Sequence, residues 1–203
     1  MMNWLETLDR DFVLFVNGFH SQTMDEAMWF FSQTYSLLPL YLLVLYFLFK
    51  EYSPKVFFGL IIFLVLTIFL TDFLSVHLFK EVFQRLRPSH NPLIEDYLHY
   101  YKQADGNFYR GGEYGFISSH SANYFGMLSF LFPLFYKRKN WLLLLLFTVG
   151  VVVVFSRIYL GVHYLSDVAA GASFGILIGS LVYYFLFRKI FNDLFLMSPR
   201  EKK

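Results

Sequence analysis

Long apolar runs, separated by short connectors, constrain this chain more than any other feature of its sequence. Five runs approach the roughly 20 apolar residues that a helix needs to cross a bilayer: residues 27–49, 56–79, 118–136, 141–156 and 164–187. The fourth run is short and is expected to continue through Arg157. The composition agrees, since 57% of the residues are hydrophobic and only 16% are charged, a balance that no soluble domain of 203 residues requires. We therefore predict an all-α fold, a polytopic transmembrane helix bundle of about five spans.

The first 20 residues carry a weaker helical pattern. Apolar residues recur at near-helical spacing opposite a polar side: Trp4, Leu5, Leu8, Phe12, Phe15, Val16 and Phe19 against Glu6, Arg10, Asp11 and Asn17. We predict an amphipathic helix that lies on the membrane or packs against the bundle, and that could be counted as a sixth span. The segment lacks the features of a cleaved signal peptide, so we expect it to be retained. No repeat interrupts the chain, and we treat residues 1–203 as one domain.

The charged residues predict how the bundle is oriented. Basic residues cluster at 50–55, 136–140 and 188–203, and by the positive-inside rule these regions face the cytoplasm. Residues 80–117 and the link at 157–163 then share the opposite side. A net charge of +2 is too small to argue for a nucleic acid partner, and the absence of cysteine excludes disulfides and thiol catalysis.

Three groups of polar residues fall on that opposite side at specific spacings. They are Lys80, six residues, then Arg87-Pro88; Ser118-Ser119-His120; and Ser156-Arg157, five residues, His163, three residues, then Asp167. Because His163 and Asp167 are four residues apart, a helix would bring them together, and the carboxylate could fix the tautomer of the ring. Lys80, Arg87 and Arg157 are the kind of cations that stabilise charge on a transferred phosphoryl group. Residues 118–120 precede an apolar helical run, where free backbone N–H groups attract an anion.

These groups resemble the signature motifs of the type 2 phosphatidic acid phosphatase (PAP2) superfamily, K-x6-RP, PSGH and SR-x5-H-x3-D. The first and third match position by position, whereas the second has Ile117 in place of Pro and Ser119 in place of Gly. The resemblance implies that His163 is a nucleophile forming a phosphohistidine, that Asp167 orients it and that His120 is the general acid. It implies no metal ion or other cofactor. It also implies a phosphate-binding set: Lys80, Arg87, Ser118, Ser119 and Arg157.

Other polar residues lie outside the motifs. We expect Arg85 and Lys102 to contact lipid headgroups or to anchor the interface. Asp72, inside the second run, is expected to form a structural ion pair or hydrogen bond. Aromatic residues of the connector at 80–117 would line an interfacial cleft or serve as anchors. The remaining histidines show no metal-ligand spacing and are expected to be surface or interface residues: His20, His77, His90 and His99.

The resemblance predicts a membrane lipid phosphate or diphosphate phosphatase, with its active site at the periplasmic face of a bacterial inner membrane. Its partners would be the lipid phosphate substrate and the surrounding lipids. Undecaprenyl diphosphate, a lipid A phosphate and phosphatidylglycerol phosphate are all candidate substrates. Two alternatives are an anion transporter or channel, whose cations would be spread through the depth of the spans, and an inactive scaffold, which would be expected to lack a catalytic histidine or aspartate.

Overall fold

The computed structural model describes residues 4–191, and α-helices make up most of that range. The helices are α1 (Trp4–Asn17), α2 (Gln22–Ser32), α3 (Leu38–Glu51), α4 (Pro54–Ser75), α5 (Glu81–Phe83), α6 (Ser119–Phe135), α7 (Asn140–Tyr159) and α8 (Leu165–Leu181). Turns of π-helix at Val76–Lys80 and Val182–Phe187 continue α4 and α8, and short 3₁₀ turns lie at Thr34–Leu37, Pro88–His90 and Glu95–Tyr97. Isolated bridges are the only extended pairing across the described residues. The predicted all-α class is confirmed.

Four helical segments of the described chain are long and apolar enough to cross a membrane: Thr34–Glu51, Pro54–Phe83, Asn140–Tyr159 and Leu165–Phe191. Between them lies α6, which has 17 residues and packs against α4, α7 and α8. At 1.5 Å per residue α6 is about 25 Å long, slightly less than the thickness of the hydrocarbon core. The multi-pass helical architecture is therefore confirmed, and the count of five spans stays a prediction.

The first predicted run, residues 27–49, is not one continuous helix. The α2 helix ends at Ser32 because the next residue, Gln33, has an extended backbone with φ −90° and ψ 131°. After one 3₁₀ turn, α3 begins at Leu38 with Pro39 in its first turn. Proline is tolerated there, whereas inside a continuous helix it would remove a hydrogen bond and clash with the preceding turn. The fourth run does continue through Arg157, as predicted, because α7 ends at Tyr159.

The N-terminal helix α1 is present, and two of its polar residues lie inside, whereas Glu6 and Asp11 are exposed. Trp4 and Phe15 are 70% and 64% exposed, whereas Asp9 and Asn17 are buried together with Val13 and Val16. The Asn17 side chain donates hydrogen bonds to the carbonyls of Tyr159 and His99, at 2.8 and 2.9 Å. Asn17 was predicted to share a polar face with Glu6 and Asp11, and this was wrong: Asn17 is buried, where its amide bonds backbone groups of α7 and the connector.

Close packing of α6 against α8 aligns the two helices that carry the second and third motifs. A side chain at Gly175 would collide with the carbonyl oxygen of Ala122, and one at Gly179 with that of Gly126. Small residues at such spacing let helix backbones approach each other in a membrane. The Ser121 hydroxyl also donates to the carbonyl of Val168 at 2.6 Å. The N-terminal ends of both helices are thereby held side by side.

The basic connectors meet at the opposite end of the bundle. Lys139 Nζ lies 3.4 Å from Glu51 Oε1, and the Tyr52 hydroxyl donates to the carbonyl of Leu134 at 3.4 Å. The regions predicted to share the cytoplasmic side are therefore neighbours in the structure. Most of the predicted basic segment 188–203 lies outside the described residues.

Candidate active site

The first and second motifs meet through a hydrogen bond between side chains. Lys80, on the π-helical turn that follows α4, donates from Nζ to Ser119 Oγ at 2.7 Å. The same hydroxyl is 2.7 Å from the buried Ser75 Oγ. A glycine at position 119, as in the family pattern, would have no hydroxyl for this purpose. The departure from the pattern therefore gives Ser119 a contact that positions Lys80.

The two motif arginines are buried, and their partners are uncharged. Arg87 is 9% exposed and donates to the carbonyls of Tyr114 and Val162, at 3.1 and 3.4 Å. Arg157 is 2% exposed and donates to the hydroxyl of Tyr109 at 2.7 Å, while its buried Nε has no hydrogen-bond partner. Within residues 4–191 neither arginine forms an ion pair with a carboxylate, and neither does Lys80. Burying unpaired cations is costly, so the arrangement favours an anionic ligand.

His163 and Asp167 are both fully buried and face each other across one turn. His163 Nδ1 lies 3.4 Å from Asp167 Oδ2, which also accepts the backbone N–H of Tyr164 at 2.9 Å. The 3.4 Å separation is longer than a hydrogen bond, and Nδ1 has no other partner in the described chain. Catalytic hydrogen bonds are often long in a free enzyme and shorten when the substrate binds.

His163 is held in its neutral form. Burial lowers the pKa of His163 well below its ordinary value, and the nearby charges of Arg87, Arg157 and Lys80 lower it further. A neutral imidazole keeps a lone pair on one ring nitrogen, which is the requirement for attack on phosphorus.

The second motif forms the N-terminus of α6. Ser118 occupies the N-cap position, yet its side chain makes no capping hydrogen bond, and its buried Oγ has no partner among the described residues. Its backbone N–H donates to the carbonyl of Asp167 at 3.0 Å, which joins the second and third motifs. His120 lies half-buried in the first turn of α6. The Ser118 hydroxyl is thus available to a ligand at a helix N-terminus, where the backbone favours anions.

A cavity of about 550 Å³ collects these residues. Five of the eight predicted site residues line it: Lys80, Arg87, Ser119, His120 and His163. The other three lie outside the lining: Ser118, Arg157 and Asp167. Ser118 bonds the backbone of Asp167, Asp167 faces the lining residue His163, and Arg157 bonds Tyr109. Its aromatic wall consists of Phe31, Tyr41 and Tyr124. The connector aromatics, expected either to line a cleft or to serve as anchors, are not in this lining. Phe31 and Tyr41 lie on either side of the α2–α3 break, whereas Tyr124 lies on α6. Sequence periodicity gave no signal of that break.

A second, apolar cavity of about 490 Å³ lies beside the first along α4. The two cavities share Ile68, Asp72, Val76 and Asn123 in their linings. Asp72 Oδ1 accepts a hydrogen bond from Asn123 Nδ2 at 3.2 Å, which confirms the structural hydrogen bond predicted for it. The polar site therefore continues into an apolar groove on the outer face of α4.

Arg85 was predicted to contact headgroups or anchor the interface, and the structure contradicts this. Its guanidinium donates to Asp167 Oδ1 at 2.7 Å and to Asp9 Oδ2 at 2.8 Å, and also reaches the Ser166 hydroxyl at 2.7 Å. It lies over the ring of Tyr164 at 4.3 Å. Two buried carboxylates attract this cation more strongly than water or lipid does. Two features of the sequence could have indicated these contacts of Arg85. Arg85 lies two residues before the motif residue Arg87, and the acidic Asp9 lies in a helix with an apolar face.

The histidines outside the motifs take other partners. His77 Nδ1 is 2.9 Å from Glu81 Oε2, His99 Nε2 is 2.8 Å from Asp25 Oδ2, and the rings of His20 and His99 stack at 4.0 Å. No group of three or more histidine and acidic side chains able to hold a metal ion occurs in the described chain.

Comparison with known proteins agrees with this geometry. A lipid A 4'-phosphatase from Porphyromonas gingivalis is 32% identical over 182 residues, which cover 90% of this chain and 74% of the relative. A lipid A 4'-phosphatase from Bacteroides thetaiotaomicron is 35% identical over 192 residues, covering 94% of this chain and 81% of the relative.

One solved structure matches nearly the whole chain. It is a transmembrane PAP2-type phosphatidylglycerolphosphate phosphatase from Bacillus subtilis, similar with a TM-score of 0.64 at 26% identity, and the match covers 99% of this chain and 90% of that one. The family model described as PAP2 superfamily matches residues 58–191, the part of the chain that holds all three motifs. The chain therefore belongs to the PAP2 superfamily.

Proposed function

We propose that this phosphatase removes a phosphate group from a membrane lipid, with a lipid A phosphate as its first candidate substrate. The reaction proceeds through a phosphohistidine on His163, at the periplasmic face of a bacterial inner membrane. The observation that carries the proposal is the group of cations without carboxylate partners, the buried Arg87 and Arg157 and the half-buried Lys80, beside a neutral histidine at the edge of an apolar groove.

The cations and α6 are suited to holding the phosphate. Lys80, Arg87 and Arg157 neutralise its oxygens, since each lacks a carboxylate partner of its own in the described part of the chain. The Ser118 hydroxyl and the free N–H groups of the first α6 turn add hydrogen bonds. These groups are in place before substrate arrives, so they stabilise the transition state without reorganising.

The two histidines divide the chemistry. With Nδ1 of His163 turned to Asp167, Nε2 attacks phosphorus, and the new P–N bond forms as the bond from phosphorus to the lipid oxygen breaks. His120 gives its proton to that oxygen. The bound phosphate itself favours the protonated form of His120, since it brings negative charge into the cavity.

Hydrolysis of the intermediate reverses these roles. A water molecule attacks phosphorus while His120 takes its proton. The P–N bond breaks, inorganic phosphate leaves, and His163 regains its lone pair. No oxidant, metal ion or further reactant enters this scheme.

The lipid part of the substrate fits the surroundings of the site. The apolar groove on α4 shares a lining with the polar cavity, so an acyl chain in the groove would place its headgroup phosphate among the cations. The two lipid A 4'-phosphatases match over 90% and 94% of this chain, which supports lipid A phosphate over the other candidates. The clustering of the basic connectors at the far end supports a periplasmic active site.

Phosphate release from a panel of purified lipids in detergent tests the proposal. The panel contains lipid A phosphorylated at one or both ends, phosphatidylglycerol phosphate, undecaprenyl diphosphate and a water-soluble sugar phosphate. We expect the highest kcat/KM for a lipid A phosphate. A higher kcat/KM for another lipid would replace the substrate, and hydrolysis of the soluble phosphate alone would overturn the lipid phosphatase.

A further inference from the structure

The two carboxylate oxygens of Asp167 have different partners. Asp167 Oδ1 accepts from Arg85 at 2.7 Å, while Oδ2 accepts the backbone N–H of Tyr164 at 2.9 Å and faces His163 Nδ1. The Asp167 side chain is 0% exposed. A buried carboxylate without a cation nearby tends to take up a proton, and Arg85 is the cation that forms an ion pair with it.

Arg85 is itself held in place from the N-terminal helix. Its second guanidinium nitrogen donates to Asp9 Oδ2 at 2.8 Å, and the Asp9 side chain is 5% exposed. Asp9 Oδ1 also accepts the backbone N–H of Ser166 at 2.9 Å, and its other oxygen accepts the Ser166 hydroxyl. One α1 carboxylate thus fixes both Arg85 and the first turn of α8, which carries Asp167.

We propose that Arg85, fixed by Asp9, is a positioning residue for the reaction: it keeps Asp167 ionised and aims its second oxygen at His163 Nδ1. This inference rests on the proposed role of His163 as nucleophile. An ionised Asp167 accepts a hydrogen bond from the N–H at Nδ1, so the proton stays on Nδ1 and the lone pair is on Nε2, which attacks phosphorus. A protonated Asp167 would instead donate to Nδ1, and the reactive nitrogen would carry the proton.

The same contacts predict how the loss of Arg85 differs from the loss of an ordinary ion pair. Ion pairs near the surface contribute little to stability, and Arg110 with Glu95 is a more exposed pair than Arg85 with Asp9, with side chains 41% and 31% exposed. Arg110 also donates to the carbonyl of Ser89 at 2.9 Å. Arg110 contacts none of the motif side chains in the described residues, so Arg110→Ala is a matched control on the same face. Arg85→Ala removes the charge that Asp167 requires.

Steady-state kinetics on the preferred lipid, in detergent, make the first comparison. In metal sites, a partner that orients a histidine or carboxylate ligand is typically worth about 10- to 100-fold in activity, and Arg85 orients Asp167 in a comparable way. We expect Arg85→Ala to lower kcat by that factor with a much smaller change in KM, and Asp9→Asn to have a smaller effect of the same kind. Arg110→Ala should match the wild type. Because Arg85 is 26% exposed, added guanidinium should restore part of the lost rate.

A double-mutant cycle separates positioning from simple support of the fold. If Arg85 acts through Asp167, then adding Arg85→Ala to Asp167→Asn should cost no further rate of phosphoenzyme formation. Equal losses in both backgrounds, or an Arg85→Ala enzyme with the kcat of the wild type, would overturn the proposal. Arg85→Lys keeps the charge but loses the contact of one guanidinium with both carboxylates, so it should give an intermediate rate. This variant replaces Arg85→Ala in the comparison if Arg85→Ala does not fold. A wild type that forms no phosphoenzyme would instead refute the proposed nucleophile.

Discussion

His163 lies in surroundings that differ strongly from water. It is 1% exposed, and the charges of Arg87, Arg157 and Lys80 lie near it. Both influences disfavour the imidazolium form and leave the ring ready to attack. The site therefore uses its own unpaired charge to prepare the nucleophile, and the substrate phosphate then compensates that charge.

This environment predicts the pH dependence of the first chemical step. As the pH falls through the lowered pKa of His163, the ring takes up a proton and loses the lone pair that attacks phosphorus. The acid limb that His163 contributes to kcat/KM should therefore lie below about 6.5, the ordinary value for histidine. The measurement is kcat/KM across the acidic and neutral range, with the substrate's own ionisation determined separately. A limb above 6.5 that the substrate does not explain would contradict the neutral His163.

The two histidines should respond differently to the leaving group. Every substrate needs a nucleophile, so His163→Ala should abolish turnover of all of them. A general acid matters only for a basic leaving oxygen, so His120→Ala should slow a lipid alkoxide by about 10²- to 10⁴-fold.

With p-nitrophenyl phosphate, whose leaving group departs without a proton, His120→Ala should regain most of its rate. The measurement is a comparison of both variants on both substrates at fixed detergent and pH. Equal deficits throughout would remove support for the division of roles, and rescue of His163→Ala alone would reverse it.

At the scale of elements, the packing of α6 on α8 sets the distance between the second and third motifs. Gly175 allows the two backbones to approach, because any side chain there would meet the carbonyl oxygen of Ala122. Gly175→Ala should force the helices apart and destabilise the protein by about 1–3 kcal/mol, the usual cost of overpacking. Activity should fall as well, since His120 and Asp167 lie on different helices of this pair.

Thermal unfolding in detergent, with phosphate release measured in parallel, tests this packing. Gly112→Ala is the matched control, because a side chain at Gly112 would meet no atom within 4 Å. A Gly175→Ala protein as stable and active as the control would show that the close approach is not required.

The sequence predicted local features better than distant contacts. The apolar runs marked the membrane helices, and the spacing of Lys80, Arg87 and His163 identified lining residues of one cavity. The break between α2 and α3 was missed because it lies inside an apolar run. A hydropathy pattern does not show that a proline within such a run begins a new helix. The contact of Arg85 with Asp9 was also missed. Those residues are 76 positions apart, and only tertiary packing brings them together.

At the scale of the whole molecule, the active site and the basic connectors lie at opposite ends of the bundle, and this predicts its orientation in the membrane. We expect a cysteine at Asp105, on the active-site side, to react with a membrane-impermeant thiol reagent in intact cells. A cysteine at Lys137, in a basic connector, should react only after the cells are permeabilised. The chain has no cysteine of its own, so background labelling is absent. Labelling of Lys137→Cys alone in intact cells would invert the proposed orientation.

The most direct test of the whole account is to trap the phosphoenzyme. The wild type is mixed with a lipid substrate radiolabelled in its phosphate, quenched in base within a single turnover and digested, and the labelled peptide is mapped. We expect an acid-labile, base-stable label on His163, absent from His163→Ala and retained longer in His120→Ala, where water is not activated. Label on another residue, or transfer of phosphate to water with no labelled protein at any time, would contradict it.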